Sequence, residues 1–290
     1  MTSTRQAHIK PVVVKVGGAL LDTPDARSTF LDRFAEAANA GAPLALVHGG
    51  GAAVDRHLDR LGVVTERRDG IRITPPELML EIAAILVGQV STGLLSELRA
   101  RGTIASALRL ADDEGIKVER LNRNFDPGAV GTVTGGHATL LRNLIASGRV
   151  PLIASIGMLE DGTLLNVNAD DAASGVARSV GARALLLLTD VPGVLDANGS
   201  VIRTLDSKAI KQAIRDGVIT GGMIPKVEAA LSAAADARCP VVIGSWSDAR
   251  VLSHPLAADT IATSILPPTT IETNQPWSPT PVDLVSGTPA

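Results

Sequence analysis

Lys15 stands inside the apolar run VVVKV at 12–16, where the pattern asks for another aliphatic residue. Lysine is almost never fully buried unless paired, so a partner for its ammonium group is expected. A second lysine is out of place in TGGMIPKVEAAL at 220–231. Ile224, Val227, Ala230, Leu231 and Ala234 recur at helical spacing, and Pro225 suits a first turn. Lys226 therefore lies beside the positive end of a helix dipole, a placement that an anion between the two would stabilise. Gly221 and Gly222, directly before it, leave the backbone open to such an anion. Asp170, in NVNADDAA at 166–173, opens another helical segment, where a cap or first-turn acid explains it without any chemistry. Arg72, in DGIRIT at 69–74, precedes the helix start Thr74-Pro75-Pro76-Glu77; a solvated surface charge and a two-pronged carboxylate clamp are both open.

Glycines surround these groups. Gly17 and Gly18 follow the first apolar run, and Gly49, Gly50 and Gly51 follow the second in HGGG. Such turns let backbone N–H groups approach an anion closely, although each alone is equally a tight turn. There is no G-x-x-x-x-G-K-[ST], and no G-x-G-x-x-G follows a strand. Several bases and one acid near glycine turns suit phosphoryl transfer, which asks for positioning and charge neutralisation and needs no nucleophilic side chain. His48 adjoins the triple glycine without a paired Ser or Cys nucleophile, and reads as a core or turn histidine.

The elements that must position these residues are short Val/Ile/Leu runs alternating with longer amphipathic segments. Runs at 12–16, 44–47, 151–156, 184–189 and 241–243 predict buried parallel strands. Helical patterns lie at about 28–40, 52–61, 75–100, 137–147, 170–180, 207–216 and 224–237. This alternation predicts an α/β fold, a sandwich around an open, mostly parallel sheet whose ligands gather at the carboxyl ends of the strands. The segment 103–136 reads as a flap or hairpin region, and the Pro/Thr/Ser-rich stretch 267–290, with Trp277, as a disordered tail.

Composition narrows the function classes. Aromatics are 2% of 290 residues and the net charge is −3, so neither stacking faces nor a basic stripe point to nucleic acid. A single cysteine, Cys239, excludes an internal disulfide or a cysteine-based metal cluster and reads as a buried thiol. No metal-ligand set is predicted. The N-terminus lacks a signal-peptide pattern, and the stretch ALLLLTDV at 184–191 is too short to span a bilayer. A soluble, cytoplasmic protein with no membrane partner is expected.

Taken together, KVGGALLD, LVHGGGAAVD, GIRIT, LLNVNADDAA, LLLTDVPGVLD and GVITGGMIPKVEAAL resemble the acetylglutamate kinases of the amino acid kinase family. The resemblance runs in order from about residue 10 to 266, and the pairing of NVNAD with GGMIPKV is its most specific part. It implies a three-layer αβα sandwich of the carbamate kinase type. The lobe 1–180 would bind the acyl amino acid and dimerise, 181–266 would bind ATP, and 267–290 would be the tail. It implies ATP-dependent phosphorylation of the side-chain carboxylate of N-acetyl-L-glutamate, the second step of arginine biosynthesis, with Mg²⁺ held mainly by phosphates and water. Position by position, Lys15 and Lys226 would stabilise the transferring phosphoryl group, and Asp170 would accept from and orient both. Gly50, Gly51, Arg72 and Asn166 would hold the acyl substrate; Gly17, Gly18, Thr189, Asp190, Gly221, Gly222 and Met223 would line the ATP site.

The chain departs from the family where GQVSTG at 88–93 replaces an Asn-containing run such as GKVN, and where LRLADDEG at 108–115 replaces LSGxDG. Both lie near the substrate lobe or flap. A short N-terminus leads us to expect a homodimer insensitive to arginine. Competing expectations are a kinase for N-acetylaminoadipate or carrier-linked aminoadipate, a non-catalytic nucleotide- or amino-acid-binding regulatory subunit, and a dinucleotide-binding oxidoreductase, the last disfavoured by the missing fingerprint.

Overall fold

The computed structural model describes residues 10–268. The tail expected at 267–290, with Trp277, lies outside the described residues from 269 onward. The strands in chain order are β1 (Val12–Val16), β2 (Leu44–His48), β3 (Arg67–Arg68), β4 (Ile71–Arg72), β5 (Ala105–Arg109), β6 (Ile116–Arg120) and β7 (Val130–Gly136). They continue as β8 (Val150–Ala154), β9 (Ile156–Met158), β10 (Leu164–Val167), β11 (Ala184–Thr189), β12 (Thr204–Leu205), β13 (Val241–Ser245) and β14 (Ala262–Ile265).

Eight of these form one sheet in the order β12-β14-β13-β11-β1-β2-β8-β5. Every pairing is parallel except β13 with β14. The expected open, mostly parallel sheet is present, and the near-continuous apolar runs explain it, because strands covered on both faces need apolar residues on both. Alternate residues divide between two layers. Val13, Val47, Ile153, Leu185 and Val241 face one set of helices, with Val176, Val227 and Ala230. Val12, Val14, Leu46, Leu152 and Val242 face the other, with Phe30, Leu31 and Phe34 from the Pro24–Asn39 helix.

A smaller sheet, β6-β7-β10-β9, lies against the Ala169–Val180 helix. The segment expected as flap or hairpin divides: β6 and β7 form an antiparallel hairpin, but β5 joins the main sheet at its edge. ASALR hides that strand because an edge strand is only half covered and carries no continuous apolar run. The antiparallel strand β14, ATSI, lies between β13 and the two-residue β12; it is short and half polar, so it too carries no continuous apolar run.

The helix Pro76–Ala100 corrects the membrane argument. It is 25 residues long, and an 18-residue window of it has a mean hydropathy of 1.8, so it is long and apolar enough by composition to cross a bilayer, and longer than the stretch singled out at 184–191. Its packing identifies it as a layer of the sandwich. Met79, Ile82, Ile85 and Leu86 enter one core layer; Leu94 and Leu98 enter the other. Ala84–Ser91, which carries Ile85 and Leu86, is π-helical, and its wider turns rotate the buried face from one layer to the next.

Candidate active site

The carboxyl end of β1 sits at the centre of the main sheet, between β11 and β2. Lys15 is its last residue but one, and its Nζ lies 2.9 Å from Asp170 Oδ1. The Lys15 side chain is 22% exposed and that of Asp170 52%, so the pair is walled by protein but open on one side. This supplies the partner that the lysine within VVVKV demands. Asp170 lies in the first turn of the Ala169–Val180 helix, but it is not the cap. That role belongs to Asn168, whose side chain accepts from the Asp170 N–H at 2.8 Å. The Asp170 carboxylate is thereby left for Lys15. Its neighbour Asp171 accepts from the Val133 N–H at 3.2 Å and ties the helix to β7. Burial pushes the Asp171 carboxyl above the usual range, against the opposing hydrogen bond from Thr132.

The triple glycine after β2 touches a different element at each residue. A Cβ on Gly49 would lie 3.1 Å from Ala169 Cβ, and one on Gly50 2.8 Å from Leu86 Cδ2. A Cβ on Gly51 would lie 3.3 Å from Arg67 Nη2. Space for a side chain is tight at Gly49 and Gly51 and absent at Gly50, because the helix start, the π-helical stretch and the β3–β4 hairpin all converge here. Gly17 passes close to Lys15, with its Cβ position 3.6 Å from Nζ, and Gly18 takes φ +52°, a conformation suited to glycine.

Arg72 is buried at 6% exposure, which removes the solvated-charge alternative. Its guanidinium donates to Asp55 and, at 3.0 Å, to the Gly51 carbonyl. Arg67 donates to the other Asp55 oxygen at 2.9 Å. Burial pushes the Asp55 carboxyl up, but hydrogen bonds and charge from Arg72 and Arg67 outweigh it and hold it below the ordinary range. Asn166 donates to Thr74 Oγ1 at 3.1 Å, and Thr74 donates to the Arg72 carbonyl at 3.0 Å. Asn166, Thr74, Arg72 and Gly51 thus form one hydrogen-bonded line. Sequence reasoning missed Asp55, Arg67, Thr74 and Asn168. The available signal for Asp55 was its place one helical turn after Gly51 in HGGGAAVD, which puts both on one face.

The remaining residues cluster on the other side of β1. Thr189 ends β11 and donates to Asp190 Oδ1 at 2.9 Å. That hydrogen bond, and further down the Lys226 charge, hold the Asp190 carboxyl below its usual value. Gly221 takes φ +53°, Gly222 caps the Met223–Ala237 helix without a side-chain oxygen, and Met223 is its first residue. The first-turn N–H groups there have no capping side chain. Lys226 is exposed, and among the described residues no ion pair includes it. Asp170 therefore pairs with Lys15 and not with both lysines; Lys226 stands apart, in the field of Asp190. No group of three or more His, Cys, Asp or Glu among the described residues is arranged to hold a metal ion. Cys239 is buried, and its thiol is pushed up to about 12 by that burial.

The model of the amino acid kinase family matches residues 10–245. The acetylglutamate kinase of Vibrio campbellii is 40% identical over 268 residues, covering 92% of this chain and 100% of that protein. A solved structure from Streptococcus mutans UA159 is 30% identical, with a TM-score of 0.67, covering 88% of this chain and 98% of that one. Carbamate kinase from Giardia lamblia, solved with AMP-PNP, shares 17% identity at a TM-score of 0.58 over 89% of this chain and 99% of its own; at that identity the likeness concerns the fold.

Proposed function

This chain belongs to the amino acid kinase family and, within it, to the acetylglutamate kinases, and from that premise we propose how its residues carry out the reaction. The enzyme transfers the γ-phosphoryl group of ATP to the side-chain carboxylate of N-acetyl-L-glutamate, in arginine biosynthesis. A carboxylate oxygen forms the new bond to phosphorus, the bond to the ADP oxygen breaks, and N-acetyl-L-glutamyl 5-phosphate and ADP result. No proton needs to be moved, so the protein's task is to hold two anions together and neutralise the charge between them.

The observation that carries the residue roles is the Lys15–Asp170 pair, 2.9 Å apart at the mouth of the central strand. Asp170 would hold the Lys15 ammonium at the phosphoryl group. Lys226 would approach from the nucleotide side, where the negative phosphates offset its repulsion from the helix terminus. Gly17 and Gly18 would offer N–H groups to the phosphates, with Thr189, Asp190 and the segment Gly221, Gly222 and Met223 around the nucleotide. Gly50, Gly51, Arg72 and Asn166 would hold the acyl amino acid. For Arg72 this means either sharing its fork with Asp55 or leaving it. Mg²⁺, which favours phosphate and water ligands, would enter with ATP, where isolated carboxylates such as Asp190 suit a peripheral rather than an enclosing role.

A homodimer in the cytoplasm is part of the same proposal. The most apolar 18-residue window of Pro76–Ala100 is only 33% buried within the subunit, which supports a second copy covering the remainder. Hydroxylamine trapping of the acyl phosphate, with ATP, Mg²⁺ and a panel including N-acetylaminoadipate, tests chemistry and acceptor together. Hydroxamate from N-acetylglutamate alone supports the proposal, and its absence with every acceptor refutes it. Sedimentation as a monomer would remove the dimer.

A further inference from the structure

His48 ends β2 and is completely buried, at 0% exposure, yet none of the chemistry above uses its imidazole. Its Nδ1 lies 2.8 Å from the Gly49 carbonyl oxygen and its Nε2 2.7 Å from Ser91 Oγ. A carbonyl can only accept, so Nδ1 carries the proton; Nε2 is then the acceptor, and the Ser91 hydroxyl donates to it. Both ring nitrogens are satisfied in one tautomer only. Burial lowers the pKa of the ring to about 4, consistent with a neutral imidazole.

The partner is as informative as the histidine. Ser91 is buried and closes the π-helical stretch Ala84–Ser91, inside the segment 88–93 where this chain departs from the family pattern. The same stretch presses on the adjacent glycine: a Cβ on Gly50 would meet Leu86 Cδ2 at 2.8 Å and Val90 Cγ2 at 3.1 Å. Three successive glycines have the most conformational freedom of any tripeptide and no side chains to restrain it. The directions of their N–H groups must therefore be set from outside.

We propose that His48 is a positioning residue, whose Nδ1–H bond to Gly49 and Ser91-anchored Nε2 clamp the Gly49–Gly51 turn against the π-helical stretch. The clamp fixes the N–H groups that the kinase reaction, on which this inference rests, requires at the substrate. His48 touches no substrate and passes no proton. Ser91 extends the clamp to the helix Pro76–Ala100, so the turn and that helix move as one body.

The test uses the full-length enzyme with ATP, Mg²⁺ and N-acetylglutamate. Ser91→Ala removes the anchor, His48→Gln keeps an amide near Nε2 but loses the bond to Gly49, and Ser91→Thr keeps the hydroxyl. Each of the first two should lower kcat about 10- to 100-fold, the range set by a turn misplaced by up to about 1 Å, with KM for ATP within about threefold. The double variant should be no worse than the poorer single one, and Ser91→Thr should restore most of kcat. Long-range ¹H–¹⁵N correlation should find His48 protonated at Nδ1, and its Nε2 resonance should shift in Ser91→Ala. Folded variants with kcat within twofold of the parent, or an Nε2-protonated ring, overturn the role of His48. A parent enzyme that traps no hydroxamate refutes the kinase reaction instead, so the two failures are told apart.

Discussion

Replacing Gly175 with alanine sets two physical effects against each other within the Ala169–Val180 helix. Glycine in a helix interior is about 1 kcal/mol worse than alanine, so propensity alone makes Gly175→Ala stabilising. Packing opposes it. The new Cβ would lie 2.3 Å from Val133 Cγ1 and 2.4 Å from Val133 Cβ on β7. Carbon atoms prefer roughly 3.5–4.0 Å, and no Val133 rotamer moves its own Cβ away, so helix and strand must separate by about 1 Å. Overpacking of this kind costs about 1–3 kcal/mol and more when backbone must shift. Taking the upper end and subtracting the propensity gain leaves about 2 kcal/mol of destabilisation, or roughly 3–4 °C in Tm for a chain of this length. The same shift pulls on the hydrogen bond from Val133 N to Asp171, 3.2 Å, and on the 2.9 Å contact between Asp170 and Lys15 one residue away. A misplacement of about 1 Å can cost on the order of 10²-fold in rate, so kcat should fall about 10- to 100-fold. Circular dichroism melting and hydroxamate turnover at saturating substrates measure both. Adding Val133→Gly should recover much of the turnover but not all of the stability, because glycine weakens a strand. A Gly175→Ala enzyme with a raised Tm and unchanged turnover refutes the argument.

Lys226→Ala should lower kcat about 10²- to 10³-fold while ATP affinity changes less, as expected for charge stabilisation confined to the transition state, and Lys226→Arg should recover little; steady-state kinetics decide it. Asp55→Asn should lower Tm at neutral pH and raise KM for the acyl substrate more than for ATP. The folded-state pKa of Asp55 is depressed, so its stabilisation is present above the unfolded value and lost as pH falls through the folded one. The difference in Tm from the parent should therefore vanish in acid. Asp171→Asn should behave oppositely, because the folded-state pKa of Asp171 is raised and ionisation destabilises the fold as pH rises. That variant should melt higher than the parent at neutral pH, with the gap closing towards pH about 4; a gap that widens in acid contradicts the assigned burial.

Much of this was legible in the sequence because it followed from local requirements. The strands of the central sheet are continuous apolar runs, and a lysine inside one of them announces a partner. Lys226 was likewise marked by its clash with a helix start. What stayed hidden depended on neighbours distant in sequence. The edge strand β5 and the short strand β14 beside the other edge are both partly polar, and only their pairing defines them. Asp55 looks like any helix carboxylate until Arg67 and Arg72 fold back over it. The converse held for Arg72, whose type signalled a clamp for a ligand's carboxylate, while the structure shows its fork on one from the chain itself. His48 offered no signal beyond its place next to three glycines, because its meaning lies in Ser91, forty-three residues away.

The strand that carries Lys15 hydrogen-bonds on one side to β2 and on the other to β11, with Lys15 in register with both Val47 and Leu187. The two halves of the sequence are therefore joined by a shared ladder at the middle of the sheet, not by a linker. A chain cut at residue 180 would leave β1 and β11 each as a naked, largely apolar edge, the geometry that recruits foreign strands and aggregates. Amide protons along that seam should exchange only when the whole molecule unfolds. For an engineer the seam rules out shuffling halves between relatives as independent modules.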